Sequence, residues 1–264
     1  MRPEIEAALA AAQIAQRITD SREGADDITP KAGIDLVTAT DVSCEDAIRA
    51  ELLRRFPDYP VIGEERGGKP ISGKPYWLVD PICGTRSFAS NLPLYCTNIA
   101  LVEDGMVTVA AVAIGSSGEI VYAEKGRGTR LYMPTGQVPV RASANSSMIW
   151  IDPSRTEQTA ATLRSALLSG RWYVCMFPSS VFGAYAAMGR IAAILHFGSL
   201  APNPIGSVHW AASCFLAIEA GAMVTDLNTH REWNLNTHSF LIAPTQDLHD
   251  ELCDLVEKAD SNHT

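Results

Sequence analysis

Trp77-Leu78-Val79-Asp80-Pro81-Ile82-Cys83-Gly84-Thr85-Arg86-Ser87-Phe88, with Gly63-Glu64-Glu65 upstream, is the stretch on which the reading of this chain turns. An apolar run ends in an aspartate, a proline turns the chain, and Gly84-Thr85 opens what reads as a helix. That order places acidic side chains and backbone N–H groups around one point, which suits binding an anion through metal ions. Just before it, Val61-Ile62-Gly63-Glu64 reads as a short strand leading to the acidic pair, and the glycine-rich stretch Arg66–Lys74 reads as a loop over the site.

Further out, residues 2–19 are alanine-rich, with Ile5, Leu9, Ile14 and Ile18 near helical spacing. Asp35 to Thr40 reads as a strand, Asp41 as an N-cap, and residues 42–56 as an amphipathic helix ending before Pro57. Strands are expected near 76–80, 95–103, 107–115, 118–124 and 128–132, separated by turn signals such as Glu103-Asp104-Gly105 and Gly115-Ser-Ser-Gly118. Adjacent strands at this spacing point to an antiparallel sheet. Past Gly136 the pattern becomes alternation: strands near 147–151 and 171–176, helices near 155–168 and 180–190. A strand at 192–197, a loop, a helix at 207–221, strands near 222–226 and 239–243, and a helix at 245–258 follow. Residues 1–140 are thus expected to form an N-terminal half carrying the acidic motifs, and 141–264 a C-terminal half closing the site in one compact unit.

The composition narrows the function classes. A chain of 264 residues with 47% hydrophobic and 19% charged residues is that of an ordinary globular protein. Its longest apolar run, Ile191–Leu195, is too short to span a bilayer, and the N-terminus lacks the basic and apolar regions of a secretory signal. No membrane association and a cytoplasmic location are the expectation. The net charge of −9 argues against nucleic acid as a partner, because phosphate backbones require a basic face. A small phosphorylated substrate remains compatible, since bound cations reverse the field of an acidic site. Six scattered cysteines without a Cys-x-x-Cys pair form neither a zinc knuckle nor a disulfide framework.

Gly63-Glu64-Glu65 and Asp80-Pro81-Ile82-Cys83-Gly84-Thr85 resemble the signatures of the inositol monophosphatase family of metal-dependent small-molecule phosphatases, in which Cys83 would be aspartate. The resemblance covers nearly the whole chain and implies an α/β (α+β) fold, a layered α/β/α/β sandwich shared with fructose bisphosphatases. It implies a first Mg²⁺ held by Glu64, Asp80 and the Ile82 backbone carbonyl, all oxygen donors suited to that ion. It also implies a water oriented by Thr85 paired with Asp41, and phosphate oxygens meeting the N–H groups of Gly84 and Thr85. Homodimers are common among proteins resembling this one.

The implied second metal site is altered. A downstream Trp-Asp-x-Ala-Ala segment should supply an aspartate, yet Val208-His209-Trp210-Ala211-Ala212 ahead of Glu219-Ala-Gly221 puts His209 there. Cys83 and His209 therefore replace two ligands of one site, with Asp80 the original ligand left. Three readings follow. Asp80, Cys83 and His209 hold a softer ion such as Zn²⁺. Alternatively the metal is absent, and Cys83, its pKa lowered at a helix N-terminus, is a nucleophile with His209 as base in acyl or group transfer. In the third the site has decayed, and the protein binds a ligand or partner without catalysis. Arg86-Ser-Phe88 resembles the histidinol-phosphate phosphatase branch, Gly189-Arg190-Ile191-Ala192 a family segment that ends in aspartate, and the loop 197–206 is longer than the resemblance implies where substrate alcohols bind.

Overall fold

The computed structural model describes residues 2–31, 36–154, 156–198 and 207–261. Helices α1 (Pro3–Ser21) and α2 (Ala39–Arg55) flank a short antiparallel pair, β1 (Ile28–Pro30) and β2 (Leu36–Thr38). A seven-stranded sheet follows in chain order: β3 (Val61–Gly63), β4 (Tyr76–Cys83), β5 (Cys96–Glu103), β6 (Met106–Ile114), β7 (Glu119–Glu124), β8 (Thr129–Met133) and β9 (Gly136–Val140). Only β3 and β4 run parallel; the remaining neighbours form an antiparallel meander. The five-residue helix α3 (Thr85–Ala89) follows β4.

The second sheet comprises β10 (Met148–Ile151), β11 (Tyr173–Cys175), β12 (Ala193–His196), β13 (Met223–Asp226) and β14 (Phe240–Ala243), ordered β11-β10-β12-β14-β13. Between its strands run α4 (Glu157–Leu168), α5 (Val181–Ala187) and α6 (Ser207–Glu219), and α7 (Gln246–Ser261) ends the described chain. Strand alternation sorts the layers. Trp77, Val79, Ile99, Leu101, Val109 and Ala111 face α1 and α2. Their neighbours Leu78, Ala100, Val102, Ala110 and Val112 face α5 and α6, where Trp150, Ile194 and Phe240 of the second sheet also converge. Helix α6 buries Val208, Ala211, Ala212, Cys214, Phe215 and Leu216 in the layer between the two sheets. Helices α4 and α7 cover the far face of the second sheet, adding an outer layer to the expected sandwich.

Several boundaries differ from expectation. Helix α2 starts two residues before Asp41, because Thr38 rather than Asp41 is its N-cap: Thr38 and Asp41 form a reciprocal capping box. Strands β1 and β9 escape the sequence reading, being short and almost wholly exposed, without an apolar face. Helix α5 ends at Ala187, ahead of Gly189 in a left-handed conformation (φ +68°). Thr156 caps α4, one residue inside the expected start; position 155, Asp35 and residues 199–206 of the expected long loop lie outside the described residues. All six cysteines are free thiols.

Candidate active site

Strand parity places the first acid. Leu78 and Asp80 point from β4 toward the α5/α6 layer, opposite to Trp77 and Val79. Simple alternation would send Cys83 to the other face. Between Asp80 and Cys83, however, the register slips: Asp80 pairs with Asn98, while Cys83 pairs with Cys96. Three steps on β4 thus match two on β5, a bulge containing Pro81. The bulge returns Cys83 to the face of Asp80, where the first turn of α6 delivers His209. Its Nδ1 lies 2.8 Å from Asp80 Oδ2 and 3.9 Å from Glu64 Oε2. Ligand atoms of Asp80, Cys83 and His209 all lie within 4.8 Å of one another.

Glu64 reaches the same corner from the end of β3. Its Oε1 accepts a hydrogen bond from Lys31 Nζ at 2.9 Å, and Lys31 also bonds Glu65 at 2.5 Å. The turn carrying both glutamates is held from below by Glu45, a fully buried carboxylate on α2. Glu45 accepts the backbone N–H groups of Glu65 (2.7 Å) and Arg66 (3.1 Å) and the Arg49 guanidinium (2.8 Å). Gly63 is obligatory here, since a Cβ on it would sit 1.9 Å from Glu45 Oε1. Glu45 and Lys31 were not singled out by the sequence; the one signal for Glu45 is its i, i+4 spacing from Asp41 on a shared helix face.

Asp41 and Thr85 meet as expected. Thr85 Oγ1 lies 3.1 Å from Asp41 Oδ1 and 3.0 Å from the Ile82 carbonyl. The other Asp41 oxygen accepts the Thr38 N–H (2.8 Å) and hydroxyl (2.5 Å), so the capping box that starts α2 also fixes the Thr85 partner. A cavity of about 440 Å³ opens above these groups, lined by Glu64, Ile82, Cys83, Gly84, Thr85, Arg86 and His209. Pro153 and Pro178 close its other side from the second half of the chain. The glycine-rich loop 66–74 is not among its walls: Arg66 pairs with Asp46 at 2.5 Å, and Arg49 takes the Gly67 carbonyl at 3.0 Å, tying the start of the loop to α2. Ala192, where the resemblance implies an aspartate, is a buried core residue, and neighbouring Arg190 pairs with Glu119.

The electrostatics follow from burial. Burial, with Asp80 nearby, raises Glu64 to about 7. Burial likewise raises Asp41 to about 6, against the downward pull of its bonds from Thr38 and Thr85. Burial opposes the charge on His209, but its bonds to Asp80 and Cys83 and the fields of Asp80 and Glu64 hold its pKa well above the usual histidine value. The Cys96 thiol and burial push the Cys83 thiol well up. This corrects the expectation of a thiol activated at a helix N-terminus: Cys83 is the last residue of β4, 9% exposed, and its sulfur accepts the Ser180 N–H at 3.2 Å.

The donor set sorts by ion. Asp80 Oδ1 is buried with no hydrogen-bond partner among the described residues, and Glu64 and the Ile82 carbonyl stand at the same corner of the cavity. Those are oxygen donors of the kind Mg²⁺ takes. Cys83 and His209 offer sulfur and nitrogen, and the corner they share with Asp80 does not fit a second Mg²⁺.

Comparison with known proteins identifies the family. A sequence model described as the Inositol monophosphatase family matches residues 1–261. A histidinol-phosphatase of Mycobacterium tuberculosis is 31% identical over 234 residues, covering 84% of this chain and 86% of its own. A fructose-1,6-bisphosphatase/inositol-1-monophosphatase of Thermotoga maritima is 29% identical over 239 residues, with coverage of 88% and 87%. In structure, a Thermotoga maritima IMPase superposes with a TM-score of 0.85 over 99% of both chains at 24% identity, a likeness of fold. The chain belongs to the inositol monophosphatase family of metal-dependent phosphatases.

Proposed function

We propose that the protein is a phosphomonoesterase acting on a small phosphorylated metabolite, with a conventional first cation site and a remodelled second one. The observation that carries this reading is the Asp41–Thr85 pair beside Glu64, Asp80 and the Ile82 carbonyl. Once Thr85 donates its only hydroxyl proton to Asp41, its oxygen lone pairs are left to accept from a water. Water so held is fixed in orientation, and as it passes its proton to the Thr85 oxygen, the Thr85 hydroxyl proton can pass to the Asp41 carboxylate. A cation held by Glu64, Asp80 and the Ile82 carbonyl would polarise the phosphoryl group and lower the pKa of its water. Ester phosphate would lie against the Gly84 and Thr85 backbone, with Arg86 at the rim.

Lys31 holds Glu64 Oε1 at 2.9 Å, which turns Glu64 Oε2 toward the corner shared with His209, 3.9 Å away. The two halves of the chain are proposed to act as one unit, because Pro153, Pro178 and His209 complete a cavity begun by Glu64 and Thr85. The dyad alternative has less support: the Cys83 thiol is buried, with its pKa pushed up by the Cys96 thiol and by burial, and His209 Nδ1 is engaged by Asp80 at 2.8 Å.

The test is phosphate release from inositol monophosphate, histidinol phosphate and fructose bisphosphate with Mg²⁺ present. Turnover of at least one is expected, and Thr85→Ala should lower kcat by about 10²-fold or more at unchanged fold. Absence of phosphate release from every ester, by folded protein with bound Mg²⁺, would sink the proposal.

A further inference from the structure

We propose that Asp80, Cys83 and His209 form a binding site for one soft divalent transition ion, zinc in the first instance, where an all-carboxylate corner would take magnesium. The proposal rests on the reading of this corner as a cation site, and not on which ester, if any, the protein hydrolyses.

Three observations converge. The first is geometry. Tetrahedral zinc with bonds of about 2.0–2.3 Å spaces its ligand atoms roughly 3.3–3.7 Å apart. The carboxylate oxygen, thiol sulfur and imidazole nitrogen already lie within 4.8 Å of one another. Closing the widest pair by roughly 1.1–1.5 Å, and opening the 2.8 Å Asp80–His209 hydrogen bond by about 0.5 Å where those two atoms are the ligands, would complete the shell. The bulge between Asp80 and Cys83 is what makes this set: without the extra residue the sulfur would face α1 and α2.

The second is an unfilled demand. Asp80 is fully buried, and its Oδ1 has no hydrogen-bond partner among the described residues. Leaving such an atom unpaired is destabilising, and more so when it is charged, and the sulfur and nitrogen beside it decide which cation fits. An ion at this corner supplies the missing partner.

The third is the support around the sulfur. The Ser180 N–H donates to Cys83 Sγ at 3.2 Å, and Ser179 Oγ donates to the Cys83 carbonyl at 2.9 Å. The sulfur is thus held as an acceptor and the backbone behind it is clamped, the second layer of contacts that fixes metal ligands. Zinc would take the thiolate, with the thiol proton released to solvent. Cys83 and His209 both line the cavity, so three protein ligands leave a fourth position open to it, as in catalytic rather than structural zinc sites.

The experiment loads metal-stripped wild-type protein separately with Zn²⁺ and Co²⁺ in the presence of excess Mg²⁺, then removes free ions by gel filtration. Stoichiometric zinc by elemental analysis and a thiolate-to-cobalt charge-transfer band in the near ultraviolet are expected. Cys83→Ser should abolish the band and weaken zinc binding at least about tenfold, the lower end of what losing even a supporting contact costs a metal site. The double change Cys83→Asp with His209→Asp should abandon zinc for a second Mg²⁺. Folded wild-type protein that retains no zinc or cobalt overturns the proposal, whatever the variants do. So does zinc retained without a thiolate band. Phosphate release without bound zinc would leave the phosphatase reading standing while this one falls; bound zinc with no ester hydrolysed would do the reverse.

Discussion

Removing the Glu45 carboxylate is the sharpest test of how the acidic corner is built. Glu45→Ala deletes three charge-assisted contacts at once: those from Glu65 N at 2.7 Å, Arg66 N at 3.1 Å and Arg49 Nη2 at 2.8 Å. Breaking a buried ion pair by deleting one partner typically costs about 3–5 kcal/mol. Arg49 keeps the Val61 carbonyl at 2.7 Å and the Gly67 carbonyl at 3.0 Å, so its guanidinium is not left bare. The loss should therefore fall near the lower end, about 3 kcal/mol, or a drop in Tm of about 6–12 °C for a chain of this size. Urea unfolding should show it as a lower midpoint at unchanged slope. Mg²⁺ affinity should fall too, because the turn presenting Glu64 loses the acceptor of its Glu65 and Arg66 N–H groups. Glu45→Gln, which keeps one carbonyl acceptor, should cost about 1–3 kcal/mol. If Glu45→Ala unfolds within about 1 kcal/mol of wild type, the turn is held by something other than Glu45 and the reasoning fails.

Two further perturbations read the same corner. Burial raises Glu64 to about 7 and Asp41 to about 6, from ordinary values near 4. A carboxyl raised in the folded state stabilises below its unfolded pKa and loses that contribution as pH climbs through the folded one. In chelator, thermal stability relative to Glu64→Gln should thus fall from about pH 4 to pH 7, and Mg²⁺ should reduce the fall; melts in which wild type gains on the variant over that window would contradict it. Gly84→Ala puts a Cβ 2.8 Å from the Leu94 carbonyl and 3.0 Å from the Ser179 side chain, at φ +100°. It should cost about 2 kcal/mol or more in urea unfolding, with loss of phosphate release because Cys83 and Thr85 flank it; a neutral effect on both would show the turn to be more yielding than its contacts imply.

Much of this layout was legible in the sequence, and the failures are instructive. Long apolar runs such as 96–103 and 106–114 announce themselves because both faces of β5 and β6 are covered by helices. Glu64, Asp80, Thr85 and Asp41 were legible through motif resemblance, and the structure brings all four to one cavity or one hydrogen bond from it. The start of α2 was misplaced because an aspartate at N3 of a capping box and an aspartate at the N-cap look alike until the side chains are seen to bond. Strands β1 and β9 carry no apolar periodicity, so nothing local marks them; pairing with a neighbour alone makes them strands. Glu45 and Lys31 act through contacts 20 to 34 positions away, a separation that leaves no local pattern to read.

Cys83 shows why residue type alone could not choose among the readings of this site. In sequence it precedes a glycine and a helix start, a context that favours a thiolate nucleophile. In the fold the bulge turns it inward, beside Cys96 and Asp80, and both neighbours and burial act against the thiolate. An imidazole nearby does not reverse this, because His209 Nδ1 is already engaged by Asp80 at 2.8 Å. A coordinated metal ion is the kind of partner that deprotonates such a thiol outright. The same ion would satisfy Asp80 Oδ1 and accept the imidazole once its proton is lost. The environment that disfavours a Cys83 thiolate on its own is thus one in which a soft cation would meet all three residues at once, leaving hydrolysis to the water proposed at Thr85 and Asp41.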